Sequence, residues 1–113
     1  MLYDNLPVYK VSYDLIIKTF DVVLYFRREY KYSLGESIKK EIIELISNIY
    51  KANSTQQKSD SIASAKANIE TVRLFFRLSK DLKQIDLSAF VEINKMIESI
   101  SKQLTAWEKY IKK

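Results

Sequence analysis

The 113-residue chain contains one glycine, Gly35, and one proline, Pro7. Tight hairpins depend on residues that reach positive φ or that pre-set a turn, so a chain this poor in both has little material for connecting strands. It is rich in what helices need: 47% of its residues are apolar and 29% charged, with apolar positions recurring every three or four residues. The expected class is all-α. At this length the chain forms one domain, 1–113, able to bury about two thirds of its unfolded surface without covalent staples. Cysteine is absent, which removes disulfides and thiolate metal sites.

Gly35 lies in the stretch around which the helices are arranged, residues 26–36, Phe-Arg-Arg-Glu-Tyr-Lys-Tyr-Ser-Leu-Gly-Glu. Ser33 and Glu36 have the spacing of a capping box. The hydroxyl is expected to accept from the Glu36 amide and the carboxylate to reach back to the Ser33 amide, starting a helix at about residue 34. Arg27, Arg28 and Lys31 then fall in the last turn of the preceding helix. There the negative end of the dipole favours cations, so the cluster reads either as helix termination or as a binding surface. Tyr30 and Tyr32 flank Lys31, an interleaving that suits base stacking and equally suits turn packing.

After a lead-in of residues 1–6, Pro7 opens a first helix expected over 8–30. Tyr9, Tyr13, Ile16, Phe20 and Val23 follow one buried stripe. Val11, Leu15, Val22 and Phe26 form a second set about 200° away. One four-helix core does not cover both faces, so the second set is assigned to a subunit interface, the alternative being burial by the domain's own helices. The second helix, 34–53, presents Ile38, Ile42, Leu45, Ile49 and Ala52 inward, with a mixed-charge outer side that includes Glu41 and Glu44. The polar segment 53–61 is the longest expected connection. The third helix begins between residues 60 and 62 and runs to about 83, with Ile62, Ala65, Ile69, Val72 and Phe76 inward. The fourth follows the cap Asp86 and runs to 111, carrying Phe90, Ile93, Ile97, Ile100, Leu104, Trp107 and Ile111. Together they predict an up-down four-helix bundle.

On the third helix Lys66, Arg73, Arg77 and Lys80 stand in one column. Like charges at i,i+4 repel by a few tenths of a kcal/mol, roughly, when exposed. Arg73 and Arg77 are the sharpest pair, with only hydrophobic residues between them. The column reads as a site for anions, or as a solvated face relieved by Glu70 and Asp81. The formal charge of +5 is a modest bias toward polyanions, and a ring of five chains would carry five times as much. Lys109, Lys112 and Lys113 complement the terminal dipole.

Histidine is absent too, which excludes the usual general base and the histidine ligands of zinc and di-iron sites. One glycine cannot build a phosphate-binding loop. Glu41 and Glu44 sit among lysines on a helix surface, a poor setting for acid–base work. The chain is read as a protein that is not an enzyme, with no cofactor, no metal and no small-molecule substrate. The amino end lacks a basic start, an apolar run and a small-residue cleavage site, and no window holds 18 uninterrupted apolar residues. The expectation is a cytoplasmic protein with no membrane association.

Four motifs carry a resemblance over nearly the whole chain: Leu6-Pro-Val-Tyr-Lys-Val-Ser-Tyr-Asp-Leu15, Phe26-Arg-Arg-Glu-Tyr-Lys-Tyr-Ser-Leu-Gly-Glu36, Asn48-Ile-Tyr-Lys-Ala-Asn53 and Val72-Arg-Leu-Phe-Phe-Arg-Leu-Ser-Lys-Asp-Leu82. In this order they resemble the accessory variability determinant proteins of diversity-generating retroelements. The broader superfamily includes four-helix proteins of ribosomal-RNA intervening sequences. Those carry Asn-Ile-Ala-Glu-Gly where this chain has Asn48-Ile-Tyr-Lys-Ala, which favours the retroelement branch. Near the carboxyl end Leu104-Thr-Ala-Trp107 replaces the family's frequent Leu-Gly-Gly-Trp. The resemblance implies a homopentameric ring or barrel that assists an error-prone reverse transcriptase and binds the template RNA, with DNA as a second nucleic-acid partner, during mutagenic cDNA synthesis. Arg73 and Arg77 match the family's helix-three arginines and would contact RNA phosphates or the polymerase. Lys66, Lys80, Arg27, Arg28 and Lys31 would extend that surface. The alternative is a scaffold, or an intervening-sequence-type protein, that docks a protein partner through apolar helix faces.

Overall fold

A computed structural model describes residues 6–112 except 55 and 57. Four long helices and one single-turn helix follow in order: α1 Pro7–Val23, α2 Arg28–Lys31, α3 Leu34–Ser54, α4 Lys58–Asp81 and α5 Leu87–Ile111. The fold is all-α, with no strand among the described residues. Pro7 occupies the first turn of α1, and Leu6 precedes it in extended backbone. Packing runs in a ring: α1 lies against α3 and α5, and α4 against the same two. Contacts fix the directions. Phe20 and Val23 of α1 meet Lys39 and Gly35 of α3, and Lys66 and Arg73 of α4 reach Glu108 and Glu98 of α5. Neighbours are therefore antiparallel, and the body is 45 Å long and 22 × 21 Å across.

The inward positions of α3, α4 and α5 are those that the periodicity picks out. Ile38, Ile42, Leu45, Ile49, Ala52, Ile62, Ala65, Ile69, Val72, Phe76, Ile93, Ile97, Ile100 and Leu104 are all buried, while Phe90, Trp107 and Ile111 are half-buried. Asp86 caps α5 as expected, its Oδ1 accepting from the Ala89 amide at 2.8 Å. The connection between α3 and α4 is shorter than the polar composition of 53–61 suggests. Helix α4 starts at Lys58, whose ammonium donates to the Ala52 and Asn53 carbonyls at 3.0 and 3.4 Å. A cation thus satisfies the carbonyl end of α3, as the helix dipole favours.

The first helix departs from expectation in three ways. It stops at Val23, not Tyr30, because the Tyr25 and Phe26 amides turn back to the Val22 and Val23 carbonyls at 3.1 Å. This tightening swings Phe26 into the core, where it is 4% exposed. Arg27 and Arg28 consequently stand at the start of α2 and not in the last turn of a long helix. Second, neither predicted stripe is the buried face as a whole: of the first, Val23 is buried and Tyr9 and Ile16 are half-buried against the core. The buried face is Val8, Ser12, Leu15, Thr19 and Val23, with Val11 and Val22 half-buried against the core. Val11, Leu15, Val22 and Phe26, assigned from sequence to a subunit interface, therefore pack inside this protomer. Tyr13 and Phe20, assigned to the core, are exposed, together with Ile17 and Leu24. The reason is that two of the five buried positions, Ser12 and Thr19, are hydroxyl residues, which a hydrophobic pattern does not mark as inward.

Third, the capping box does not form. The Ser33 hydroxyl donates to the Glu29 carbonyl at 2.7 Å, and Glu36 pairs with Lys39 at 3.2 Å. Helix α3 still begins at Leu34 because the approach of α1 requires Gly35 there. A Cβ on Gly35 would stand 2.7 Å from Val23 Cγ1 and 3.3 Å from the Tyr30 carbonyl oxygen. At the far side of this end, Lys83 takes a left-handed backbone, φ 61°. The Lys83 amide bonds the Lys80 carbonyl and the Gln84 amide the Ser79 carbonyl, at 2.9 and 2.8 Å, which is the Schellman ending normally given to glycine.

The two positions should respond oppositely to substitution. Gly35→Ala is expected to destabilise by about 1–3 kcal/mol through overpacking against a short branched side chain, although alanine is the better helix former. Lys83→Gly is expected to stabilise by about 1 kcal/mol by relieving left-handed strain. Urea unfolding midpoints of the two variants check both signs.

Candidate nucleic-acid interface

The basic column of α4 faces α5, and α5 answers it with carboxylates. Lys66 Nζ lies 2.9 Å from Glu108 Oε1. Arg73 donates from Nε to Glu70 Oε1 at 3.1 Å within its own helix, and from Nη1 to Glu98 across the groove. Lys80 Nζ sits 4.9 Å from the centre of the Phe90 ring. Arg77 is exposed and makes no hydrogen bond, ion pair or ring contact among the described residues. The sequence places the four cations in one column, and the structure keeps the column. It pairs Lys66 and Arg73 with carboxylates and leaves Arg77 and Lys80 with no acidic partner among the described residues, Lys80 resting on a ring.

These partners shift the charges in the expected directions. Burial in the groove works against the charge on Arg73, but hydrogen bonds to Glu98 and Glu70, with their negative charge, outweigh it and hold the guanidinium above its ordinary value. The hydrogen bond from Arg73, then its charge, pulls the Glu98 carboxyl below the usual range. The hydrogen bond from Lys66, aided by the charges of Lys112 and Lys66, does the same for Glu108.

The second basic cluster is assembled by the break in α1. Arg27 pairs with Glu29 at 3.3 Å, and its guanidinium lies 5.4 Å from the Tyr30 ring centre. Lys31 lies 5.9 Å from the centre of the Tyr32 ring. Arg28 is exposed with no such partner among the described residues. The Arg27 amide donates to Gln84 Oε1 at 2.8 Å, tying the α1–α2 junction to the α4–α5 turn. Arg77 and Lys80 are in the last turns of α4, so they share this end of the bundle with Arg27, Arg28 and Lys31. Lys66 lies eleven residues before Arg77, about 16 Å up the helix at 1.5 Å per residue. Five of the seven nominated cations thus gather at one end, Arg73 lies one turn before Arg77, and Lys66 stands apart; Lys66 and Arg73 are paired.

Sequence reasoning missed Glu98 and Glu108, Gln84 and Tyr25. The carboxylates were recoverable once the third and fourth helices were set antiparallel, since residues opposite each other then run in reverse order along the pair. Gln84 carried no signal, because its role depends on the left-handed turn at Lys83. Tyr25 was hidden by reading the first helix through residue 30.

Four long antiparallel helices, with unneutralised arginines at one end, define a four-helix-bundle protein. Residues 7–111 match the bAvd-like family model, and the chain belongs to that family, the accessory variability determinants of diversity-generating retroelements. No curated protein matches the chain significantly. No helix of the described residues is long and apolar enough to cross a membrane.

The α4–α5 pairs make stability depend on pH in a defined direction. Depressed carboxylates stabilise the fold above their unfolded value of about 4.3, and that contribution is lost as pH falls through their folded values. Arg73, raised, stays charged across the whole range. Urea midpoints should therefore fall between pH 6 and pH 3, and less steeply in a Glu98→Gln, Glu108→Gln double variant. Equal slopes in the two proteins would mean that the pairs contribute nothing.

Proposed function

We propose that the protein is the non-catalytic accessory subunit of a diversity-generating retroelement, binding its reverse transcriptase and template RNA through the cationic end of the bundle in support of mutagenic cDNA synthesis. The observation that carries this reading is the family match across residues 7–111. The structure supports it by gathering Arg77, Lys80, Arg27, Arg28 and Lys31 at one end, with Arg77 and Arg28 free of acidic partners among the described residues. Phosphate contacts release counterions, so RNA affinity should fall steeply with salt. Titration of a structured RNA and a duplex DNA across a salt series is expected to give about micromolar binding at low salt. Arg77→Ala should lower the logarithmic salt slope by about one. Arg73→Ala should change it less, because that guanidinium is already engaged by Glu70 and Glu98. A folded Arg73→Ala, Arg77→Ala variant that captures RNA and polymerase unchanged would remove the column from the site.

The functional form is proposed to be a homopentameric ring in the cytoplasm. A ring needs two different faces that meet head to tail. Helix α1 offers Tyr13, Ile17, Phe20 and Leu24 outward, and α4, diagonally across the bundle, offers Leu74 and Leu78; all six are exposed in the protomer. These residues replace Val11, Leu15, Val22 and Phe26 as the proposed interface. Light scattering should report a five-subunit mass that Ile17→Asp reduces to the protomer while leaving helicity unchanged. A wild-type protein that stays monomeric at high concentration would sink the ring.

A further inference from the structure

Tyr25 follows buried Val23 and precedes buried Phe26, yet it is 84% exposed, the most open of the exposed large apolar side chains. An aromatic ring carries a large apolar area, and the described residues leave most of this one open. The neighbouring aromatics are occupied: the Arg27 guanidinium lies over Tyr30 and the Lys31 ammonium over Tyr32. Tyr25 has no such cation among the described residues. It lines a pocket of about 210 Å³ with Val22, Ile85 and Ala89 as apolar surface and Gln84 and Asp86 as polar groups. That is smaller than the roughly 300–1,000 Å³ of sites that enclose a whole small-molecule ligand. It suits one planar heterocycle.

The polar groups are held in place by other bonds and keep capacity to spare. Gln84 Oε1 accepts from the Arg27 amide and Nε2 donates to the Leu82 carbonyl, both at 2.8 Å, leaving one lone pair and one N–H on the amide. Asp86 uses Oδ1 as the α5 cap, and its second oxygen makes no bond among the described residues. An ionised carboxylate accepts only, so this position suits an exocyclic amine and repels a phosphate. Arg28, exposed and without an acidic partner among the described residues, follows Tyr25 by three residues and is the cation assigned to the phosphate.

We infer that Tyr25, the pocket beside it and Arg28 form a subsite for an unpaired, amine-bearing nucleobase of single-stranded RNA. The base stacks on Tyr25, its amine meets Asp86, and its backbone is held by Arg28. The inference rests on the nucleic-acid reading above and adds to it a preference for single strands, because a base within a duplex exposes no face for stacking.

The test is a fluorescence-anisotropy titration of the full chain with a ten-nucleotide oligocytidylate, a ten-nucleotide oligouridylate and a ten-base-pair RNA duplex. Oligocytidylate is expected to bind more tightly than oligouridylate, which lacks the amine. Tyr25→Ala should weaken oligocytidylate about tenfold and leave the duplex unchanged, and Tyr25→Trp should restore binding. Asp86→Asn, which keeps a capping side chain, should narrow the difference between the two oligonucleotides. Circular dichroism confirms that each variant is folded. Duplex binding together with oligocytidylate binding indifferent to Tyr25→Ala would overturn the subsite and leave the nucleic-acid reading standing. Binding of none of the three RNAs at low salt would overturn both.

Discussion

Val23 packs against a stretch of α3 that has no side chain to offer, and the surrounding end of the bundle is built on that approach. With a Cβ at residue 35 only 2.7 Å from Val23 Cγ1, α1 and α3 could not come together as they do. Close contact lets α1 stop at Val23 and turn Phe26 inward, since the core has closed over the helix end. The turn leaves the Arg27 amide without an intrahelical partner, and Gln84 supplies one at 2.8 Å. Gln84 is positioned by the left-handed residue Lys83 before it. Residues 23, 35 and 84, far apart in sequence, thus define one end of the molecule, and the unneutralised cations stand on it.

How much of this the sequence reveals depends on whether an element's inward positions are all of one kind. For α3 and α5 they are, and periodicity places both helices and their cores correctly. Helix α1 buries Ser12 and Thr19. The Thr19 hydroxyl donates to the Leu15 carbonyl at 2.7 Å, which makes a polar residue acceptable inside and invisible to a hydrophobic pattern. The Ser33–Glu36 spacing misleads for a related reason: the single turn α2 brings the Glu29 carbonyl within reach, so the Ser33 hydroxyl turns to donate there, and the Glu36 carboxylate pairs with Lys39 instead of reaching back. The column of cations on α4 was legible because 3.6-residue spacing alone determines it. Of their neutralisation only the pair within the helix was legible, Glu70 against Arg73; Glu98 and Glu108 become neighbours only through the antiparallel path of the chain.

The ion pairs between α4 and α5 set register more than they add stability. Pairs as open to solvent as these add little beside the burial of Ile93, Ile97, Ile100 and Leu104. Lys66–Glu108, Arg73–Glu98 and Lys80–Phe90 nevertheless touch at three levels along the helices. A slide of one helix by a turn, about 5.4 Å, would separate every pair at once. The charges spent on register are not available to a ligand. The net surplus of +5 therefore expresses itself through residues such as Arg77 and Arg28, which α5 does not reach.

The outer face of α1 is where the fold and the proposed assembly meet. Helix α1 buries Ser12 and Thr19 beside Val8, Leu15 and Val23 and still holds Tyr13, Ile17 and Phe20, with Leu24 at its end, in water, an apolar surface that the protomer itself does not use. Lys39 lies over Phe20, 4.9 Å from the ring centre, and Ile43 and Tyr50 continue the column of Lys39 along α3. The apolar region thus extends across two helices, beyond the scattered single residues that ordinary surfaces tolerate. It runs along the side of the bundle, whereas the unneutralised arginines stand at its end. Burial of the sides by neighbouring copies would leave the ends open. Rotation about one axis would also keep equivalent ends on the same side of the ring, so that cations too few in one protomer to hold a nucleic acid strongly would be gathered five-fold around one rim.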